Sequence, residues 1–254
     1  MKVNQPGWRT PFQIAVLAWS IAAACPAHAS PADPVFVPYD DEGDRFVQYA
    51  FGHEKARDGS SEQAHSLALG WNPTARWFTS LYAGWYREPG ESTSLYAYSW
   101  VNHVNLVKQG GSGSPVEVGI YLEIERPRER DEGYELTGGP TFQFDAGSFQ
   151  INANLWLRKS VHTEDAAPAA LLYQWQAKRL WMQHVELGAQ GMGNVGPWHQ
   201  WRSGSEQEHA IGPAIFFKLA VNNSHSLNVD AAVLAGLTSA SPRATFRVRS
   251  QYEF

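Results

Sequence analysis

The sequence predicts an all-β fold, an antiparallel up-and-down barrel of about twelve strands. Two observations lead to this prediction. From Arg45 onward the chain is a series of runs in which apolar and polar residues alternate, as in strands with two unlike faces. The connections alternate too, because short ones are followed by mostly longer and more charged ones. An up-and-down barrel has this alternation, since every second connection lies at the same end.

The predicted strands cover residues 45–53, 62–71, 75–86, 94–106, 115–125, 134–144, 149–158, 169–177, 181–191, 208–221, 225–237 and 244–254. The short connections are 72–74, 109–114, 145–148, 178–180 and 222–224. The longer ones are 54–61, 87–93, 126–133, 159–168, 193–207 and 238–242. An even number of strands places both ends of the barrel at the side of the short connections, and ten or fourteen strands would do so as well.

The final stretch, Thr245–Phe254, has one mostly apolar face and one charged face and ends on an aromatic residue. This pattern resembles the closing strand of bacterial outer-membrane β-barrels, whose chains end in Phe with apolar residues at alternate positions upstream. The resemblance implies a transmembrane barrel whose apolar face meets the lipid bilayer of the outer membrane and whose polar face meets the lumen. It also implies recognition by the barrel-assembly machinery through a C-terminal signal consisting of Phe246, Tyr252 and Phe254.

The beginning of the chain predicts export. Lys2 and Arg9 precede a short apolar run, which ends in Ala27-His28-Ala29, so residues 1–29 are predicted to be a signal peptide cleaved near Ala29. A membrane-spanning helix would need about 20 apolar residues, more than this run offers. Cleavage as a lipoprotein at Cys25 is the other alternative. Residues 30–44 are Pro-rich and acidic and are predicted to be an irregular periplasmic segment before the barrel of residues 45–254.

Composition narrows the possible functions. The signal peptide contains the only cysteine, so the mature chain would have neither disulfides nor thiolate metal ligands. Cleavage removes two of the 20 basic residues and none of the 25 acidic ones, which leaves a net charge of −7 with His neutral. That charge argues against a nucleic-acid partner. The 11 tryptophans suit aromatic belts at two membrane interfaces.

Two soluble folds also have many short strands: the β-sandwich and the lipocalin-like barrel. In both, the apolar faces would point inward and the outer face would be polar. The alternation of the connections and the terminal Phe254 favour a barrel in a membrane, with the polar faces inward.

The polar faces then supply the predicted lumen lining. These residues are Glu117, Tyr121, Glu123, Glu125, Asn152, Asn154, Arg158, His184, Glu186, Lys218, Asp230, Arg247 and Arg249. We expect Asp230 to pair with Arg249 across the last hairpin. Glu125 should approach Glu135, with loop arginines neutralising them. Such a lining favours cations mildly, but it could equally be a structural network of salt bridges.

No catalytic motif emerges. A lipid-active barrel enzyme of the phospholipase type needs a His two residues before a Ser on one face of a strand, whereas here Ser66 and Ser226 directly follow a His and point to the opposite face. No metal or cofactor is expected, because no set of ligands converges in the sequence. The facing of His103 is ambiguous, since aromatic and aliphatic residues compete for the outer side of its strand.

The longest external connection contains Trp198 and Trp201, which could stack on a ligand or belong to an interfacial belt. The size and strand number also look loosely like small barrels of the phenol-degradation meta-pathway type, thought to be transporters, although no residue motif carries over their substrate. The first functional hypothesis is a narrow channel for small polar or aromatic solutes. The alternatives are a structural or adhesion barrel with a plugged lumen, acting through its loops, and a lipid-modifying enzyme.

Overall fold

The computed structural model describes residues 30–38, 41–109, 113–129, 132–163, 167–222 and 224–254. Within this part of the chain, twelve antiparallel strands form a closed barrel, which confirms the predicted fold class. Each strand pairs with its neighbours in sequence, and the last strand closes against the first. No helix among the described residues is long and apolar enough to cross a membrane. The predicted signal peptide lies outside the described residues.

The twelve strands are ten to fourteen residues long. They are β1 (Arg45–Lys55), β2 (Ser61–Thr74), β3 (Trp77–Arg87), β4 (Ser94–Val107), β5 (Glu117–Pro127), β6 (Tyr134–Ala146), β7 (Phe149–Val161), β8 (Ala170–Met182), β9 (Val185–Pro197), β10 (Glu208–Ala220), β11 (Ser226–Gly236) and β12 (Ala244–Glu253). The two ends of the barrel differ. The turn end carries the connections 75–76, 108–116, 147–148, 183–184 and 221–225, and the loop end carries the connections 56–60, 88–93, 128–133, 162–169, 198–207 and 237–243.

The hairpin between β8 and β9 differs from the prediction. The expected turn at 178–180 is strand, and the chain reverses at residues 183–184 instead. The glycine-rich sequence of β9 was expected to be a loop from residue 193, but β9 continues to Pro197. Aromatic rings explain this extension, because a Cβ at Gly191 would meet the Trp175 ring and one at Gly193 would meet the Tyr173 ring. Aromatic rings of β8 thus cover the glycine backbone of β9.

The closing strand β12 is paired on both sides. Its residues form continuous backbone ladders with β1 and with β11. Arg45 and Phe254 exchange two backbone hydrogen bonds, N to O, of 3.1 and 2.9 Å, at the turn end. Phe246, Tyr252 and Phe254 point outward and are 42%, 36% and 44% exposed, whereas Arg247 and Gln251 are buried inside. The barrel is therefore apolar outside and polar inside along this strand, as expected for contact with lipid.

The segment before β1 lies inside the barrel. Residues 30–38, which we call the lumen segment, have no regular secondary structure and are surrounded by the barrel wall. Val35 and Phe36 are only 1% and 8% exposed. The segment enters from the turn end, where β1 begins, and its first residues reach Gly52, near the loop end of β1. The apolar sequence Val35-Phe36-Val37 is more stable in this position than in water, because its side chains are largely removed from solvent.

Candidate functional site

The inner face of the wall carries all but one of the predicted lumen residues. They alternate with the outward residues of their strands, as a strand requires. Several are almost completely buried, among them Asn152 and Asn154. Lys218 and Glu186 lie nearest the turn end, where they line an open cavity. The residues placed on the inner face are Glu117, Tyr121, Glu123, Glu125, Asn152, Asn154, Arg158, Glu186, Lys218, Asp230, Arg247 and Arg249.

His184 is the exception. It occupies the turn between β8 and β9 with a φ of 70° and is exposed. Its Nδ1 lies 3.0 Å from the backbone oxygen of Lys218. The prediction placed it in the lumen because it began β9 at residue 181; a residue in the left-handed region ends a strand, so the prediction was wrong for this residue.

The Asp230–Arg249 pair forms as expected. The two residues face each other directly across β11 and β12, not diagonally. The Arg249 Nε donates to Asp230 Oδ1 at 2.6 Å, and both side chains are largely buried. This pair ties the two strands together on the inner face, where a single charge without its partner would be costly.

Carboxylates gather in the loop half of the lumen. Glu125 faces Glu135 across β5 and β6. Their neutralising partner is Arg158 of β7, whose Nε lies 3.0 Å from Glu135 Oε1. Of the loop arginines expected to do this, Arg126 instead donates to the Gly133 carbonyl and lies over the Tyr134 ring, and Arg130 lies outside the described residues. The reason is parity, because Arg126 follows Glu125 and therefore points outward.

Phe36 anchors the lumen segment. Its ring centroid lies 5.0 Å from those of His103 and Tyr121 and 6.0 Å from that of Phe78. Its backbone is bound as well. The N–H of Phe36 donates to Gln174 Oε1 at 3.2 Å, and its carbonyl accepts from Asn154 Nδ2 at 2.9 Å.

These rings belong to a larger apolar cluster, which we call the aromatic layer. Seven of the wall strands contribute to it, and the lumen segment supplies the remaining member. Its members are Phe36, Phe46, Ala68, Phe78, Val101, Tyr121, Trp156 and Leu172. An apolar constriction of this kind excludes water from a pore even where it is not completely filled.

The first residues of the lumen segment fit a groove of small side chains. Ala32 packs with Ala50 and Ala64 in a second buried cluster. A Cβ built on Gly52 would lie 2.1 Å from the backbone carbon of Pro31, so only glycine leaves room for the segment there. The segment also folds on itself, because Asp33 N–H donates to the Ser30 carbonyl at 2.9 Å.

Two cavities lie on opposite sides of the aromatic layer. The cavity toward the loop end is lined by Asp33, Glu123, Glu125 and Arg158, together with several tyrosines. The cavity toward the turn end is lined by Lys178, Glu186, Lys218 and Glu253. Phe36 borders the first cavity and Val37 borders the second. The lumen segment thus lies between two polar cavities of one barrel, and Arg249 borders both of them.

Amide side chains form a hydrogen-bonded row on the wall of the turn half. Asn152 Nδ2 donates to Gln143 Oε1 at 2.7 Å, and Gln176 Nε2 donates to Asn152 Oδ1 at 3.0 Å. Gln190 Nε2 continues the row to Gln176 Oε1 at 3.3 Å. These uncharged groups leave the wall polar without adding fixed charge.

His103, whose facing the sequence left open, points into the lumen. It is 1% exposed, and its Nε2 lies 2.8 Å from Thr141 Oγ1. It packs against Phe36, not against a carboxylate. Among the described residues, no group of three His, Cys, Asp or Glu side chains could hold a metal ion.

Two exposed tryptophans lie in the connection between β9 and β10 at the loop end. Trp198 and Trp201 are 56% and 63% exposed, and the indole of Trp201 donates to the Trp198 carbonyl at 3.2 Å. In the same loop, hydrogen bonds from Ser203 lower the pKa of Glu206. Hydrogen bonds from Ser60 lower the pKa of Asp58 in the loop after β1. Both carboxylates therefore help to order their loops in the ionised state.

The sequence analysis missed the position of the lumen segment, although two signals pointed to it. The apolar sequence Val35-Phe36-Val37 is unexpected in a segment otherwise rich in Pro and Asp. The second signal is Gly52 on the inner face of β1, because a glycine inside a strand often marks the close approach of another backbone. Gln174 could not be recognised, since nothing in its own strand distinguishes it from other inward amides.

The closed twelve-stranded wall, its apolar exterior and its polar interior define the fold of bacterial outer-membrane β-barrel proteins. Comparison with solved structures agrees. The chain is similar to the COG4313 outer membrane channel from Pseudomonas putida F1, with a TM-score of 0.60 and 10% identity, over 87% of this chain and 98% of that one.

It is also similar to the NanC porin, with a TM-score of 0.53 and 8% identity, over 83% of this chain and 98% of that one. No protein-family model and no curated protein matches the chain in sequence. At these identities the likeness concerns the fold.

Proposed function

We propose that this protein is a narrow outer-membrane channel for small polar or aromatic solutes, closed in the described conformation by its lumen segment. The observation that carries the proposal is the position of Phe36. It lies between two polar cavities that the barrel wall encloses. In a purely structural barrel we would expect side chains of the wall to fill the lumen. Here a polar cavity lies on each side of Phe36, which belongs to the lumen segment and not to the wall.

The way the lumen segment is attached supports a movable closure. The wall is held by continuous backbone ladders, whereas the segment pairs with no strand. Two hydrogen bonds connect its Phe36 peptide to the wall, and each is worth ~1 kcal/mol net. Burial of the Phe36 ring adds roughly 2 kcal/mol. The segment can therefore leave while the barrel stays intact.

The fixed charges of the lumen favour cations mildly. In the loop half, Glu123, Glu125 and Glu135 outnumber Arg158. In the turn half, acidic and basic residues are nearly balanced, and Asp230 is already paired with Arg249. A permeating cation would therefore meet a favourable potential mainly in the loop half.

Conductance of the purified protein in planar bilayers tests the proposal. Replacing Val35, Phe36 and Val37 by serine removes the apolar anchors of the lumen segment but keeps the length of the chain. We expect frequent, discrete openings in this variant and rare ones in the native protein. The matched control replaces Trp198 and Trp201 by serine, which leaves the lumen unchanged and should leave the conductance at the native level.

A second candidate function is supported by a specific observation, the filled lumen. If the closure is permanent, the protein would work through its loops, with exposed Trp198 and Trp201 as contacts for a surface ligand. The same two variants separate the candidates. A folded serine-segment variant that stays silent would reject the channel and favour the adhesion barrel, whose surface binding the tryptophan variant should then abolish.

We further propose that the protein resides in the outer membrane, after removal of residues 1–29, and that Phe246, Tyr252 and Phe254 are recognised by the barrel-assembly machinery. Support comes from the outward, partly exposed position of all three rings at the closing strand. Replacing all three by alanine should lower the amount of assembled barrel in outer-membrane fractions while the detergent-refolded protein still forms. Equal amounts of assembled variant and native protein would contradict this proposal.

A further inference from the structure

Phe36 occupies a site formed by three rings and two side-chain amides of the barrel wall, which we call the seat. Its residues are Phe78, His103, Tyr121, Asn154 and Gln174. We propose that this seat also binds a small solute in which an aromatic ring is flanked by an amide N–H and a carbonyl group. The inference rests on the proposed function, because it names the class of solute that the closed channel would admit. Phe36 is then a built-in competitor for the site of the solute.

The ring pocket of the seat is held by contacts within the wall. Tyr121 stacks on Trp156 with a centroid distance of 4.3 Å, and its hydroxyl donates to Glu123 Oε2 at 3.0 Å. His103 is fixed by Thr141, and Phe78 stacks on Phe46 at 5.7 Å. None of these contacts involves the lumen segment. The pocket is therefore preorganised for an aromatic ring whichever molecule supplies it.

The polar part of the seat is equally specific. Asn154 and Gln174 face each other on neighbouring strands β7 and β8. Asn154 donates to the carbonyl of Phe36, and Gln174 accepts from the N–H of Phe36. Both amides are nearly buried, at 2% and 7% exposure. A ligand without such a donor and acceptor would leave these buried groups unpaired, so the seat discriminates against purely apolar rings.

Competition for the seat would couple binding to opening. A solute that occupies the ring pocket cannot be bound together with Phe36, so it stabilises conformations in which the lumen segment has moved away. The native protein should therefore bind the solute more weakly than a variant without the Phe36 ring, by the fraction of time that the seat is empty.

The probe for this inference is N-acetyl-L-phenylalaninamide, which carries the ring, the N–H and the carbonyl of the Phe36 residue. Its affinity is measured by calorimetry on the full-length protein in detergent. We expect Phe36→Ala to bind the probe at least about tenfold more tightly than the native protein, because the ring pocket is vacant. N-acetyl-L-alaninamide, which lacks the ring, should bind at least about tenfold more weakly than the probe to the same variant.

Wall variants test the polar pair. In the Phe36→Ala background, Asn154→Leu removes one hydrogen-bond donor and should weaken probe binding by about fivefold. Gln150→Leu is the matched control, because Gln150 lies on the same strand but contacts Asp145 at the turn end. It should leave the affinity unchanged. Phe36→Leu replaces Phe36→Ala if the latter does not fold.

The outcomes separate this inference from the channel itself. Equal affinities for the two probes, or equal binding by native protein and Phe36→Ala, would overturn the seat as a solute site even if the serine-segment variant conducts. Ring-dependent binding that Asn154→Leu weakens supports the seat even if no variant conducts, and the channel proposal alone would then fail.

Discussion

Strand β12 and the lumen segment are held in the barrel in different ways. Each residue of β12 from Thr245 onward faces a partner on β1 and another on β11, so its backbone is paired on both sides. The lumen segment is held by side-chain contacts instead: two amides bind Phe36, Tyr96 forms a hydrogen bond with Ser30, and wall arginines attract Asp33. The wall is therefore the permanent part of the structure, and the lumen segment is the part that we propose to be displaceable.

The largest expected difference between β12 and the lumen segment is in their response to proline. Val248→Pro in β12 removes a backbone donor and distorts a strand that is paired on both sides, so we expect no closed barrel. Val35→Pro in the lumen segment should leave the barrel folded. The shift in gel mobility between heated and unheated protein measures closure. Loss of the closed barrel in both variants would show that the segment is part of the folded wall.

Breaking the Asp230–Arg249 pair should have the next largest effect. Arg249→Met leaves a largely buried carboxylate without its partner and should lower the free energy of unfolding by roughly 3–5 kcal/mol. Asp230→Leu combined with Arg249→Met should recover part of this loss, since the carboxylate that Arg249→Met leaves without its partner is gone. Urea unfolding of the native protein, Arg249→Met and the double variant measures these free energies. A double variant as unstable as Arg249→Met would contradict the account of this pair.

Crowding the groove that receives the lumen segment should have the smallest effect on stability. Gly52→Leu places atoms where the Pro31 backbone lies and should expel the first residues of the segment, at a cost of about 1–3 kcal/mol. We expect a higher open probability with an intact barrel. Gly204→Leu is the control, because a Cβ at Gly204 meets nothing within 4 Å. Equal open probabilities in the two variants would argue against closure by the segment.

The sequence predicted the wall well because period-two alternation is a local property. In β5, Glu117, Tyr121 and Glu123 could be assigned to the inner face from their own strand alone. The terminal strand and the alternation of connections then determined how the wall closes. One error occurred at Gly193, where a glycine was taken for the start of a loop, since the covering Tyr173 ring belongs to a neighbouring strand. Another was the position of the turn between β8 and β9, which lies at residues 183–184.

The contents of the lumen were much harder to predict. Phe36 lies 138 residues from Gln174 and 118 residues from Asn154, and no local pattern connects positions so far apart. Asn154 was expected to face the lumen, but nothing in the sequence indicated which group it would bind there. The site depends on one irregular segment fitting a wall built from many strands, so it could be found only after the wall was closed.

The central claim is that the lumen segment must move for the barrel to conduct. Ala32 and Ala64 pack in one buried cluster, so we choose Ala32→Cys with Ala64→Cys to tie the segment to β2, and thiol titration first checks that the disulfide forms. The most direct measurement is the single-channel open probability of this double variant before and after reduction. Our account predicts no openings in the oxidised protein and native openings after reduction. Equal open probabilities in the two states would contradict it.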